Sequence, residues 1–265
     1  MNIFQQFAKS LYSPETIAKF RFQKIGKTIG YVFFLMLIVT IPPSIIFGMT
    51  LNSFFDSAEN FVEDLPEFEI QNGVLSTPDN ETYIDDTGEL VFIVDAAGNV
   101  DRSELAQYTN VVALYETEVV ANFGGTSEQV RYQEFGANLT SDEIQGFASS
   151  IIGLSPLFIG VFIIGIYLFT TALKFIGVSF LALIGLLLKK NVADQLAYRQ
   201  LWRLAAYAVT LPTVVFAIID LIVPQLPFSF GLYWIVAIVM MNLALKAVPK
   251  PKQPSVDPIE TGNPS

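Results

Sequence analysis

The alternation of apolar and polar positions separates this chain into long apolar runs and one region of short strands. Ile29 to Leu51 gives 23 residues without a charge, enough at about 1.5 Å per residue to cross a hydrocarbon core of about 30 Å with room for tilt. It predicts a first transmembrane helix, kinked where Pro42-Pro43 removes two backbone donors. The run is too long for a signal-peptide core and no A-x-A site follows, so the anchor is expected to stay uncleaved. From Ile151 to Leu188 there are 38 residues broken only by Lys174, about 57 Å as one helix. Two spans in that stretch would put Lys189, Lys190, Arg199 and Arg203 on the outer side, against the positive-inside tendency. It is read as one span plus an extension. Leu204 to Val223 and Phe228 to Val248 form a closing antiparallel hairpin through Pro224-Gln225-Leu226-Pro227, with Lys246, Lys250 and Lys252 at its far end.

Between the first two spans the period shortens. Strands are expected at Phe68 to Ile70, Leu90 to Val94, Val111 to Tyr115, Val119 to Phe123 and Gln129 to Phe135. Turns are expected at Asp95 to Asn99 and at Gly124-Gly125-Thr126-Ser127, the second closing a hairpin. Thr140-Ser141-Asp142-Glu143 has capping-box spacing and predicts a helix that leads into the membrane. Residues 1–28 are basic, with Lys9, Lys19, Arg21, Lys24 and Lys27. Ser13-Pro14-Glu15 reads there as an N-cap with proline at the first helical position. Phe4, Phe7 and Leu11 recur at helical steps, so this end is either a helix on the inner membrane face or a cytosolic tail. The tail from Pro249 lacks apolar periodicity and is expected to be disordered.

Composition agrees with the pattern and adds an orientation. The chain is 52% hydrophobic and 15% charged, which favours a membrane protein over a soluble domain. Residues 52–150 hold 20 Asp or Glu against Arg102 and Arg131, a net −18, while the remainder carries 13 Lys or Arg against five acids, a net +8. Such an acidic segment repels nucleic acid and anionic headgroups, and the basic remainder suits a cytoplasmic leaflet. The absence of cysteine and histidine removes disulfides, thiol nucleophiles, thiolate or imidazole metal sites and imidazole-based triads. A domain outside the membrane without disulfides fits a bacterial envelope. The sequons at Asn80 and Asn138 would matter only in a secretory host.

The expected fold class is an α-helical membrane protein of about four transmembrane helices with an inserted small extracytoplasmic, antiparallel, β-rich α+β domain. Its parts are a cytoplasmic segment 1–28, a first span 29–51, an acidic extracytoplasmic domain 52–150, spans two to four over 151–248, and a disordered cytoplasmic tail 249–265. Both termini then lie inside a bacterial plasma membrane crossed several times.

Two segments carry a resemblance. Ser10-Leu11-Tyr12-Ser13-Pro14 with Gly26-Lys27 and Tyr31, and Tyr198-Arg199-Gln200-Leu201-Trp202-Arg203 through Ala206-Tyr207-Ala208 to Thr210-Leu211-Pro212, resemble a Gram-positive family of membrane proteins of unknown function. That family includes maltodextrin utilisation proteins of the MalA type. The second segment is also distantly similar to the core of Yip1-type membrane proteins. The likeness includes the layout of one span, an extracytoplasmic domain and clustered spans. It implies that architecture and a link to sugar uptake, but no reaction and no catalytic residue.

Function, on these residues, has few places to sit. Lys174 and Asp220 are ionisable residues within apolar spans, which are costly and therefore functional candidates. With Lys189 and Arg203 marking the inner surface, the two lie about 22 and 26 Å above it and within reach of each other. In the alternative register both snorkel to water. Asn242, Thr210 and Pro212 either line a cavity or make interhelical hydrogen bonds and a kink. Tyr198, Arg199, Trp202 and Arg203 read as an interfacial anchor, or as a docking cluster for a cytoplasmic partner. In the acidic domain, Asp79, Glu81, Asp85, Asp86 and Glu89 miss the EF-hand spacing and read as a solvated loop, so no metal is expected. Tyr83, Tyr108, Tyr115 and Tyr132 offer sugar-stacking faces or strand packing. No two of the 20 acids are singled out as a glycosidase pair. The leading expectation is a non-enzymatic accessory or sensor protein without cofactors, partnered by the lipid bilayer and another membrane or envelope protein. The alternatives are a transporter or channel component and, third, a membrane-bound carboxylate hydrolase.

Overall fold

The computed structural model of the protein describes residues 1–88, 90–136, 138–190, 192–223 and 226–249. Glu89 of the acidic loop, Pro224 and Gln225 of the hairpin loop, and the proline-rich tail with Lys250 and Lys252 lie outside the described residues. Among those described, nine helices and eight strands follow in chain order. They divide into a helical unit, Met1–Gly48 with the residues from Val161 onward, and an inserted unit, Met49–Gly160.

The helical unit begins with α1 (Ile3–Ser10) and α2 (Pro14–Lys19), followed by a 3₁₀ turn over Phe20–Phe22. The predicted cap is present: Ser13 Oγ accepts the Thr16 amide at 3.3 Å, with Pro14 at the first helical position. This end is neither a free tail nor only a surface helix, because Ile17, Ala18 and Phe20 are buried in the helical core at 0%, 1% and 4% exposure. Four helical stretches are long and apolar enough to cross a membrane: α3 (Ile25–Glu63), α6 (Ser155–Leu188), the pair α7 (Tyr198–Ala208) and α8 (Thr210–Ile222), and α9 (Ser229–Lys246). Large apolar side chains such as Leu37 and Ile41 on α3, Phe169 and Ile176 on α6 and Ile218 on α8 are exposed on them. Lipid, unlike water, accepts such a surface, and helices satisfy their backbone polar groups internally. Apolar helices of this kind fit a multi-pass membrane protein.

Two helices run longer than a bilayer requires, and one of them, α3, is longer than expected. The stretch after Ile151 is read as a span plus an extension, and α6 is indeed one continuous helix of 34 residues, about 51 Å long. Helix α3 continues through Pro42 and Pro43 and past Leu51 for 12 further residues. The continuation has a cause in the sequence, since Phe54, Ala58, Phe61 and Leu65 recur at three- and four-residue steps. Phe61 meets Phe92 edge to face at 5.1 Å, and Asn52 Nδ2 donates to Asp56 Oδ2 at 2.8 Å one turn on.

The inserted unit holds two sheets. One is ordered β3 (Tyr83–Asp85), β4 (Val91–Asp95), β5 (Asn110–Tyr115), β6 (Glu118–Phe123), β7 (Thr126–Arg131), and the other β2 (Val74–Ser76), β1 (Glu69–Gln71), β8 (Leu139–Thr140). The expectation of an all-antiparallel domain is corrected: β4 and β5 run parallel. The expected turn at Asp95 to Asn99 opens a crossover, and the 3₁₀ turn Arg102–Gln107 lies within it. Parallel neighbours need about a dozen connecting residues or more, which this crossover supplies. Every residue of β4 is buried, because both faces of the larger sheet are covered. Val91 and Ile93 pack with Leu105, Val111 and Val120, while Phe92 and Val94 pack with Phe68, Ile70 and Leu75.

The strand expected at Gln129 to Phe135 ends at Arg131, and Tyr132–Phe135 forms a single helical turn, α4. The hairpin at Gly124-Gly125 is present, with φ of +59° and +86°. So is the capping box, which starts α5 (Ser141–Ile152): the Thr140 amide donates to Glu143 Oε2 at 3.0 Å and the Glu143 amide to Thr140 Oγ1 at 3.2 Å.

A second hairpin, β1 to β2, turns on Asn72 and Gly73 at φ +54° and +83°, the left-handed pair that Asn-Gly adopts readily. A Cβ on Gly73 would also overlap Cγ of Gln133. Gly73→Val is therefore expected to destabilise the inserted unit by about 1–3 kcal/mol. Faster amide hydrogen exchange in β1 and β2 would show it, and unchanged protection there would contradict it.

Candidate functional site

Lys174 lies on α6, Thr213 on α8 and Tyr233 on α9, and the helical unit brings them together. The Lys174 ammonium donates to Thr213 Oγ1 at 3.1 Å and to the Tyr233 hydroxyl at 3.2 Å, and it stands 4.8 Å from the centroid of the Tyr233 ring. The two hydroxyls share a further hydrogen bond at 3.2 Å. Lys174 is half-buried, and Thr213 is buried. An ammonium over an aromatic face with two oxygen acceptors keeps part of its solvation inside an apolar bundle.

Asp220 does not take part. It is exposed near the end of α8, seven residues beyond Thr213 and so about 10 Å further along the helix. Placing Lys189 level with Arg203 predicts a meeting of Lys174 with Asp220, but the observed register is about one and a half turns off. Gly185 faces Leu201, and Lys174 faces Thr213. The offset arises because α7 already begins at Tyr198, while Lys189 folds back to donate to the carbonyls of Asp194 and Leu196 at 3.0 and 2.7 Å. Among the described residues the ion pair is Arg102 with Glu118, in the inserted unit. Asn242 is half-buried on α9, nine residues and about 13 Å from Tyr233. Thr210 is buried with its hydroxyl 2.6 Å from that of Tyr31, so it links helices.

The basic aromatic cluster is largely committed inside the unit. Trp202 Nε1 donates to Ser179 Oγ at 3.0 Å, and its ring lies parallel to Phe175 with centroids 6.2 Å apart. The Tyr198 hydroxyl donates to the Ser179 carbonyl at 3.4 Å, and Arg203 Nη1 to the Arg21 carbonyl at 2.8 Å. Arg199 remains exposed. One helical turn on from Arg203, Tyr207 packs against Phe20 and Tyr31, each with its centroid 4.2 Å away and their rings tilted by 35° and 32°, and donates to Gln6 Oε1 at 2.8 Å. The two sequence segments that carry the resemblance thus meet in space. Gln6, Thr213 and Tyr233 are the residues that sequence reasoning overlooks. The signal present for the tyrosine is its hydroxyl, which requires a partner inside an apolar span.

In the inserted unit, a cavity of about 300 Å³ lies between the two sheets. Ile70 and Leu139 line it from the smaller sheet, with Phe68 just before β1, and Leu114 and Val119 from the larger, with Ile144 and Tyr132 completing the wall. The Tyr132 hydroxyl is buried without a hydrogen-bond partner, and burial, with the charge of Glu118, raises its pKa. A cavity of about 460 Å³ elsewhere in this unit is lined by polar groups that include Glu67, Glu69 and Asp142. Glu67 and Glu69 alternate with Phe68 and Ile70 along the chain, so they belong to the opposite face of the smaller sheet.

Of the acidic loop, Asp85 closes its own turn, accepting from the Thr87 hydroxyl at 2.6 Å and amide at 3.0 Å, and these bonds lower its pKa. Among the described residues no group of three or more acidic side chains is arranged to hold a metal. Tyr115 and Tyr132 are core residues, and Tyr83 and Tyr108 pack half-buried against the same cores, so strand packing accounts for all four.

No curated protein and no solved structure matches this chain. A family model does, over residues 4–245, which include both resemblance segments and the Lys174 constellation. The chain belongs to the family described as protein of unknown function (DUF1189).

Proposed function

We propose that this protein is a non-enzymatic accessory or sensor protein of a bacterial plasma membrane, whose inserted unit holds an apolar side chain of an envelope protein. The cavity between the two sheets carries this reading, because its walls are almost wholly apolar and it is open to an entering group. Burying a leucine or phenylalanine side chain there is worth about 1.5–3 kcal/mol, a useful increment for a contact that must form and release. The charge asymmetry supports an orientation with both termini cytoplasmic and the acidic unit extracytoplasmic. A connection with sugar uptake rests on the resemblance to maltodextrin utilisation proteins alone.

A photoreactive analogue installed at Ile144 in living cells tests the reading. A discrete protein adduct is expected with the open cavity, and its loss when Leu114→Trp fills the cavity while hydrogen-exchange protection of the unit persists. The same adduct in the filled variant, or no adduct from a folded open one, would sink the idea. The purified protein alone in liposomes is expected to show no solute flux.

A further inference from the structure

We propose that Lys174, Thr213 and Tyr233 form a binding site for a phosphate oxyanion, supplied by a phospholipid headgroup at the end of the bundle. The hydrogen inventory leads there. An ammonium has three donor hydrogens, and Lys174 directs two of them at Thr213 Oγ1 and the Tyr233 hydroxyl. These two hydroxyls bond to each other, which uses one of their own hydrogens. One ammonium hydrogen and one hydroxyl hydrogen are left over on neighbouring groups, with a full positive charge between them. Among the described residues no carboxylate is paired with that charge. An anionic oxygen is the complement such a set lacks, and charge-assisted hydrogen bonds are the stronger class.

Depth selects the source. Tyr233 is four residues into α9, about 6 Å from its first residue. The Lys174 ammonium, held by Thr213 and Tyr233, sits at about that depth below the first residue of α9, on the side of the bundle from which headgroup phosphates approach. Side chains on a helix lean toward its N-terminus, which for α6 is the end shared with the short connection between α8 and α9. Lys174 is half-buried, so part of its side chain remains accessible.

The test uses the full chain, delipidated in a non-ionic detergent free of phosphate, with its thermal midpoint followed as dioleoylphosphatidylglycerol, dioleoylglycerol or inorganic phosphate is added. The phospholipid is expected to stabilise the wild type and the phosphate-free diacylglycerol to have no such effect. Lys174→Met is expected to need about ten- to a hundredfold more phospholipid for the same shift, and Lys174→Arg to retain the response. A full response to inorganic phosphate that Lys174→Met loses supports the same oxyanion chemistry with a soluble source. Equal responses of Lys174→Met and wild type, equal responses to the two lipids, or no response to any of the three additions overturns the proposal. Should Lys174→Met fail to fold, the Thr213→Val, Tyr233→Phe double variant takes its place, and an unchanged response from it is equally fatal.

Discussion

Tyr207→Ala is expected to destabilise the helical unit by about 3–5 kcal/mol, the cost of removing a large aromatic side chain from a packed core. Tyr207 is fully buried, with Phe20 and Tyr31 against its ring and Gln6 at its hydroxyl. Its ring is the joint between α7 and the N-terminal segment, and the nearby Arg203 to Arg21 contact alone cannot fill the volume left behind. The visible consequence is local. Limited proteolysis is expected to cut within residues 1–22 in the variant and to spare them in the wild type. Tyr207→Phe keeps the packed ring and loses only what the hydroxyl bonds, the Gln6 side chain first, so its cost should be about 1 kcal/mol. Equal effects of the two variants would show that the hydroxyl, and not the packed ring, holds the segment.

Asp95→Ala is expected to cost the inserted unit about 3 kcal/mol. The carboxylate has no exposed surface and accepts from Thr82 Oγ1 and from the Val100 amide, both at 2.8 Å. Asn99 Nδ2 in turn donates to Thr82 Oγ1 at 3.0 Å, so one side chain ties the start of β3 to the turn after β4. Alanine leaves two donors in place without their acceptor, each at about 1–3 kcal/mol where buried. Acid should act on the same bonds. Burial alone raises the Asp95 pKa, but hydrogen bonds from Val100, Asn99, Thr82 and Gly98 outweigh it and hold it below the usual 3.8. A carboxyl whose pKa is lower folded than unfolded stabilises the fold above its unfolded value, and that contribution disappears as the pH falls through the folded value. Exchange of the Val100 amide should therefore accelerate below about pH 4 in the wild type. In Asp95→Ala, which has no side-chain acceptor for that amide, it should be fast already at pH 7, with no further step of that origin.

The spans are legible in the sequence because lipid exposure demands uninterrupted apolar runs, and the one continuous helix after Ser155 follows from length and charge. The Thr140 capping box, the Ser13 cap and the Gly124-Gly125 hairpin are legible because each rests on a local hydrogen-bond pattern. What escapes is set by packing across distance. Nothing local distinguishes the turn at Asp95 to Asn99 from a hairpin, so the parallel pairing of β4 with β5 is invisible without the crossover that covers it. The Asn72-Gly73 turn is readable, but its strands are only three residues each, shorter than periodicity can register. The partner of Lys174 depends on which residues mark the inner surface. Arg203, a boundary by charge, does not lie level with Lys189, because α7 already begins at Tyr198 and Lys189 folds back onto the carbonyls of Asp194 and Leu196, and the register shifts away from Asp220.

The packing of Tyr207 on Phe20 also sets a schedule for biosynthesis. Gln6 and Tyr207 are 201 residues apart in the chain, so at about 5–20 residues per second roughly ten to forty seconds pass between the synthesis of one and the other. During that interval the aromatic and apolar face of α1, α2 and Phe20 has no α7 to cover it, and the ribosome meanwhile delivers two long helices and a whole folded unit. The first residues to emerge are thus among the last to reach their final environment. Truncation anywhere before α7 leaves them as an exposed amphipathic sequence of the kind that quality-control proteases recognise.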